Sequence, residues 1–388
     1  MMRSSLLFAL AIGCGGNTPS IPDAPTDGFD RSAMLAHLGQ NVLLPVPGDV
    51  AAKTSALTTA VGAYCAELDA GSATPDAVRD AWRTAMDATN RLDAVVIGPA
   101  AMDGKALQSR IYAWPLLSTC DVDRDTASRF ANPGSYDVSA KLDRARSLAA
   151  VEFLLFTTNT NHTCVVEPTG WAALGTDLPR ARCRLAEVIA ADVAATATQL
   201  DTAWRVDGGN FVTDLATAGS GSSDIPSAQE GVNRVSDGMF FVDRIVKDMK
   251  LAEPAGIAIN ACGTVGEPCL SEVEHPFADY TSQSVRTNLR MLREVFTGTS
   301  ATADGPAFDD FLIGVGHDDV AARMTQNLDA AIAAADALPD SFLGALANNL
   351  PAIEVAHTAI KTFTDDLKSQ FLTLLSLEIP DDVATDND

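Results

Sequence analysis

Arg144-Ala145-Arg146-Ser147-Leu148-Ala149-Ala150-Val151-Glu152-Phe153-Leu154-Leu155-Phe156 sets a single carboxylate inside an almost continuous apolar run. Positions 148, 151, 152 and 155 share one face of a helix, so Glu152 points with Leu148, Val151 and Leu155 into packing. A carboxylate taken out of water without a partner is costly, and two readings follow. One is a structural ion pair with Arg110, Arg146 or another arginine inside a helical bundle. The other is a ligand or metal carboxylate at a junction between bundles or domains.

Working outward, the 388 residues are 47% hydrophobic and only 6% aromatic, with alanine throughout. Alanine-rich segments poor in β-branched residues favour helix, and the length suits about two domains. The formal net charge is −24, spread along the chain. That disfavours a nucleic-acid partner, which needs a basic face. An acidic surface is compatible with cation binding and commonly serves solubility.

The amino terminus reads as a sorting signal. Arg3 precedes the apolar run Leu6–Ile12, too short to anchor in a bilayer, and small residues then lead to Cys14. Residues 1–13 are expected to be a signal peptide. The step Ala11-Ile12-Gly13-Cys14 resembles a bacterial lipobox, which makes Cys14 the lipidated first residue of an exported protein. Such a protein is tethered to the membrane of the cell envelope and faces the periplasm or the cell exterior. An ordinary secretory signal with an incidental cysteine is the alternative. Residues 14–30, with Pro19, Pro22, Pro25 and Gly28, form the expected disordered tether.

Six further cysteines in an exported chain suggest disulfides. Cys262 and Cys269 enclose a turn-rich loop and are expected to pair. The other four allow three connectivities. Pairing like with like joins Cys65 to Cys183, both in helical patterns, and Cys120 to Cys164, both read as loops. Zinc is the rival, but no C-x-x-C spacing occurs.

Leu57, Val61, Cys65 and Leu68 mark a helix over 54–69, and Thr74-Pro75-Asp76 starts another. Asp121-Val-Asp123-Arg-Asp125 has calcium-loop spacing but lacks the glycine at the sixth position and the glutamate at the twelfth, so it reads as an acidic loop. A loop over 157–170 precedes a helix over 179–204. Glycine and serine over 206–228 mark the break between halves. Helices are then predicted over 231–250, 282–297, 308–315, 318–338 and 341–377, the last broken at Pro351. The expected architecture is all-α, two packed helical bundles of the four-helix type, over 31–205 and 206–388.

No H-E-x-x-H, G-x-S-x-G or phosphate loop is present. Glu354-Val-Ala-His357 has the Glu-x-x-His spacing of di-iron bundles, which need two copies and further glutamates; one copy reads as a chance helical pair. Gly316-His317-Asp318-Asp319 reads as a helix start.

Several short motifs resemble the imelysin-like family of bacterial envelope proteins. These are Asn41-Val-Leu-Leu-Pro45, Arg79-x-x-Trp82, Arg110-x-x-x-Trp114-Pro115, Arg182-Cys183, Lys250-Leu251, Pro254, and Ser284 with Asn288 and Leu289. The family's signature Gly-x-His-x-x-Glu falls on Ser147, Ala149 and Glu152, so only its glutamate is kept. The resemblance implies two helical bundles with a ligand site between them, lined by Glu152, Arg79, Trp82, Arg110 and Trp114 from the first half and Ser284 and Asn288 from the second. Trp82 and Trp114 also read as ordinary core, and Arg79 and Arg110 as counter-charges to Glu152 or as surface. Iron or a divalent metal on Glu152 is the implied cofactor, with envelope uptake components as partners. The function expected is a non-catalytic envelope binding protein connected with iron or another metal. The alternatives are a metallopeptidase, opposed by Ala149 in the histidine place, and a structural envelope protein.

Overall fold

A computed structural model describes residues 27–380 except positions 95, 223, 264 and 379. The signal segment 1–13, Cys14 and most of the 14–30 tether therefore lie outside the described residues, as does the terminal Asp386-Asn387-Asp388. Among the described residues there is no strand, and the chain is all-α.

Helix α1 (Arg31–His37) starts at Asp30, whose carboxylate accepts the amide N–H of Ala33. It continues through a π-helical turn, Leu38–Leu43, into α2 (Pro45–Ala70). Pro45 opens α2 and Gly71, at φ +74°, closes it. Helices α3 (Asp76–Asp93), α4 (Met102–Ile111), α5 (Thr119–Ala131), α6 (Leu148–Phe156) and α7 (Leu178–Trp204) follow. Helix α2 lies along α7; α3 and α6 complete the first bundle, and α4 and α5 lean on α7. All nine residues of α6 are buried. A helix surrounded on every side carries no polar face, which is why its sequence runs apolar without a break.

After α8 (Phe211–Ala216) and α9 (Ala228–Met239) comes an eleven-residue π-helical segment, Val242–Ala252, extended by α10 (Glu253–Ala255). Helices α11 (Thr281–Thr297), α12 (Phe308–Gly314), α13 (Asp318–Asp336), α14 (Phe342–Asn348) and α15 (Leu350–Asp366) follow, then a π-helical turn, Leu367–Phe371, and α16 (Leu372–Leu375). The π-helical segment 242–252, α11, α13 and α15 form the second bundle. The two bundles meet where α3 packs on α11, and one continuous apolar core runs through both.

Two local expectations are corrected and one holds. The helix expected over 231–250 is α9 followed by the π-helical segment, so its side chains change phase near Phe240. The helix expected over 341–377 is broken at Pro351 as expected: α14 ends before Asn349, and Pro351, which lacks an N–H, takes a first-turn place of α15 where none is required. Asp121, Asp123 and Asp125 lie within α5, not in an acidic loop, and Cys120 sits in the first turn of that helix. Its N-cap is Ser118, whose hydroxyl accepts the N–H of Asp121. The disulfides are Cys65–Cys183, Cys120–Cys164 and Cys262–Cys269, the expected pairing, although Cys120 is helical.

Candidate functional site

Helix α6 carries Glu152 to the seam between the bundles, where the loop 274–280 crosses from the second half. Glu152 is 2% exposed. Its Oε2 accepts the Nδ1–H of His275 at 2.9 Å, and its Oε1 accepts the backbone N–H groups of Phe277 and Ala278, each at 3.0 Å. A carboxylate with three donors has its charge well compensated. No arginine takes part. Arg146 pairs with Asp143 and Asp192, and Arg79 donates to the carbonyl of Leu155 and stacks on Phe156. The expected arginine counter-charge is replaced by an imidazole and two amides.

The loop holds a costly shape. His275 and Asp279 have φ of +54° and +51°, a region that non-glycine residues enter at about 1–3 kcal/mol each. Several bonds over-determine it. Asp279 N–H donates to the carbonyl of His275 at 2.9 Å, Leu343 N–H donates to Asp279 Oδ1 at 3.0 Å, and the Thr281 hydroxyl donates to the carbonyl of Glu274. The Trp82 ring stands edge-on to the His275 ring, centroids 5.2 Å apart, while its own N–H donates to the carbonyl of Leu148 at 3.0 Å. Tyr112 stacks on the other side of the imidazole at 5.6 Å.

A second layer lies behind His275. Tyr112 donates to Glu274 Oε1 at 2.8 Å, and its hydroxyl is 3.3 Å from His275 Nε2. Lys250, from the π-helical segment, reaches the same Glu274 oxygen at 2.9 Å. It also donates to Asn288 Oδ1 at 2.9 Å and to Asn90 Oδ1 at 3.5 Å. Asn90 donates in turn to the Ser284 hydroxyl at 2.9 Å. Burial alone would raise the Glu274 carboxyl, but Lys250, His275 and the bonds it accepts hold it below its ordinary value. Burial, then Glu274 and Glu152, push the Tyr112 phenol well up. Burial raises Asp93, at the end of α3, to about 6 against the pull of Lys250.

Of the residues expected to line the site, Glu152, Trp82, Ser284 and Asn288 are brought into this network. Arg79, on α3, donates to the Leu155 carbonyl near the end of α6 and is not among the groups that Glu152 accepts from. Trp114 is half-buried against the core. Arg110 is not at the site: it lines a separate groove of about 410 Å³ with Met102, Leu107, Gln199 and Phe211. The sequence reading passed over Asn90, Tyr112, Lys250, Glu274 and His275 as site residues. The signal available was a lysine in an apolar stretch, Met249-Lys250-Leu251, and the adjacent acid and imidazole of Glu274-His275. On its outer side the same loop borders a groove of about 440 Å³, lined by Arg83, Ala278, Asp279, Tyr280, Gln283, Arg286, Asp340 and Ser341.

The residues do not fit a metal centre. Both Glu152 oxygens are engaged by N–H donors, and the Lys250 ammonium stands against Glu274 where a cation would stand. Among the described residues no group of three or more His, Cys, Asp or Glu side chains is placed to hold a metal ion. Glu354 is exposed on α15, and His317 immediately precedes α13.

The family model described as Imelysin (Peptidase_M75) matches residues 44–370. Iron-regulated protein A of Synechococcus elongatus is 25% identical over 379 residues, covering 95% of this chain and 93% of that protein. An imelysin-like protein from Psychrobacter arcticum 273-4 superposes with a TM-score of 0.65 at 15% identity, covering 90% of this chain and 96% of the other. A solved structure from Parabacteroides distasonis ATCC 8503 gives 0.68 at 16% identity, covering 89% and 94%. With the family match spanning most of its length, this chain belongs to the imelysin family.

Proposed function

We propose that this protein is an exported, non-catalytic binding protein of the cell envelope, lipid-anchored through Cys14, that takes part in iron handling. The observation that carries the non-catalytic reading is that both oxygens of Glu152 are engaged by N–H donors. A metallopeptidase needs about three protein ligands and an open position at which a metal activates water. Here the motif carboxylate already accepts three N–H groups, the motif histidine is Ala149, and His275 is spent on orienting Glu152. Support for the iron connection comes from the relative named iron-regulated protein A. Support for export comes from the signal-like amino terminus, the three disulfides and the Parabacteroides neighbour, described as a precursor. No helix among the described residues is long and apolar enough to cross a membrane; support for attachment through Cys14 comes from the lipobox-like step Ala11-Ile12-Gly13-Cys14.

The binding surface in this reading is the outer side of the strained loop, where Arg83, paired among the described residues only with the exposed Asp80, borders the 440 Å³ groove, while Arg286 beside it is held by Asp340 and the carbonyls of Ala335 and Leu338. Arginines suit carboxylate-bearing ligands, so the iron species bound is a carboxylate chelate rather than a bare ion. The test is titration of the mature chain with ferric citrate, followed by tryptophan fluorescence, beside a peptide-hydrolysis assay with and without chelator. Saturable binding weakened at least tenfold in Arg83→Ala, with no hydrolysis above background, is expected. Chelator-sensitive hydrolysis lost in Glu152→Gln would overturn the non-catalytic reading, and absence of saturable binding would remove the iron role.

A further inference from the structure

Lys250 is wholly buried, and its ammonium has three N–H donors to place. Three oxygens surround it: Glu274 Oε1 and Asn288 Oδ1 at 2.9 Å, and Asn90 Oδ1 at 3.5 Å. Neither amide is free to turn. Asn288 Nδ2 donates to the carbonyl of Asn90 at 2.7 Å, and Asn90 Nδ2 donates to the Ser284 hydroxyl. Both amide oxygens are thereby aimed at the ammonium. A further oxygen, Glu274 Oε2, is buried without a hydrogen-bond partner, and the ring of Phe241 lies 5.7 Å from Nζ. The oxygens come from α3, α11 and the 274–280 loop, so both bundles build the cage.

Carboxylate and amide oxygens are the ligands that hard cations select. Glu274 is the one carboxylate among the contacts of the ammonium, and a single positive charge balances it; the Asp93 carboxyl, which also feels Lys250, gives the cage no oxygen. Contacts of 2.9 Å suit a monovalent cation of ammonium size, whereas a small divalent ion requires oxygens near 2.0–2.1 Å.

We propose that Lys250 is the resident cation of this site: its ammonium fills an oxygen cage, the wild-type chain loads no metal there, and removing the side chain opens the cage to free potassium or ammonium. The inference goes beyond the reading above, whose binding surface is the outer groove and not this buried cage. Peptide hydrolysis and chelate binding do not enter its test, so either idea can fail without the other.

The experiment compares thermal melts of the mature wild-type chain and Lys250→Ala in potassium, ammonium and choline chlorides at equal ionic strength. Wild type is expected to melt at one temperature in all three. Lys250→Ala is expected to melt lower in choline and to recover in potassium and ammonium, the gain growing with the logarithm of their concentration. Adding Glu274→Gln should abolish that recovery. A loss in Lys250→Ala that ignores the choice of cation overturns the proposal. If the variant fails to fold, metal content decides, after dialysis of wild type against iron, zinc, manganese and calcium. Less than stoichiometric metal supports the resident lysine, and a stoichiometric ion lost in Glu274→Gln refutes it.

Discussion

Asp93 and Glu274 give the buried network opposite responses to pH. The folded-state pKa of Asp93 is raised from 3.8 to about 6, so folding favours its protonated form. Its contribution to stability is greatest below about pH 3.8, declines as pH rises through 6, and is flat above. Asp93→Asn keeps an oxygen acceptor for the Gln108 amide, now 2.8 Å away, and removes the charge. Urea unfolding should find the variant more stable than wild type at pH 7.5, by at most about 3 kcal/mol at 1.36 kcal/mol per unit, and the difference should vanish near pH 4. Glu274 has the opposite sign: its pKa is lowered from 4.5, so its contribution is present above 4.5 and lost as pH falls through the folded value. At this scale the sequence was legible only where a residue contradicted its surroundings. Glu152 stood out because every neighbour was apolar. Glu274 and His275 lie in a polar-looking loop, and nothing local says that both are buried. Lys250 shares an α-helical face with Met239 and Val246, but the acid that lets it be buried, Glu274, lies 24 positions further along the chain and nothing local announces it.

Element by element, the helices were readable because most bury a single stripe, and long stripes such as that of α7 survive any small error at the ends. What was not readable were local contests of hydrogen bonding. Ser118 caps α5, so an aspartate series with calcium-loop spacing runs along a helix, with Asp121 in its first turn. The disulfides differ in what they tie together. Cys65–Cys183 joins α2 to α7 across 118 residues of sequence, whereas Cys262–Cys269 closes a loop across only 7. By loop-closure entropy the first contributes about 4–5 kcal/mol and the second about 2–3 kcal/mol. Calorimetry of Cys65→Ser/Cys183→Ser should therefore show a larger loss in melting temperature than Cys262→Ser/Cys269→Ser. Equal losses would mean that native-state packing, and not the unfolded chain, sets the effect.

Across the whole molecule, two bundles share one core and are pinned by a carboxylate from the first and a loop from the second. The all-α class followed from composition and periodicity, while the placing of the site between bundles came from resemblance to a family. Neither could say that the carboxylate would be met by backbone amides, because such donors leave no mark in a sequence. The pinning has a consequence in time. The three groups that Glu152 accepts from are 123, 125 and 126 positions away along the chain. Contacts of such range form only after the intervening chain has been gathered, at a cost in closure entropy. The Glu152 latch therefore engages late, after the barrier to folding has been crossed. Stopped-flow chevrons of Glu152→Gln should show faster unfolding with refolding unchanged; a slowed refolding arm would instead place the latch in the nucleus. A latch that engages late governs how long the native state lasts rather than how fast it is reached.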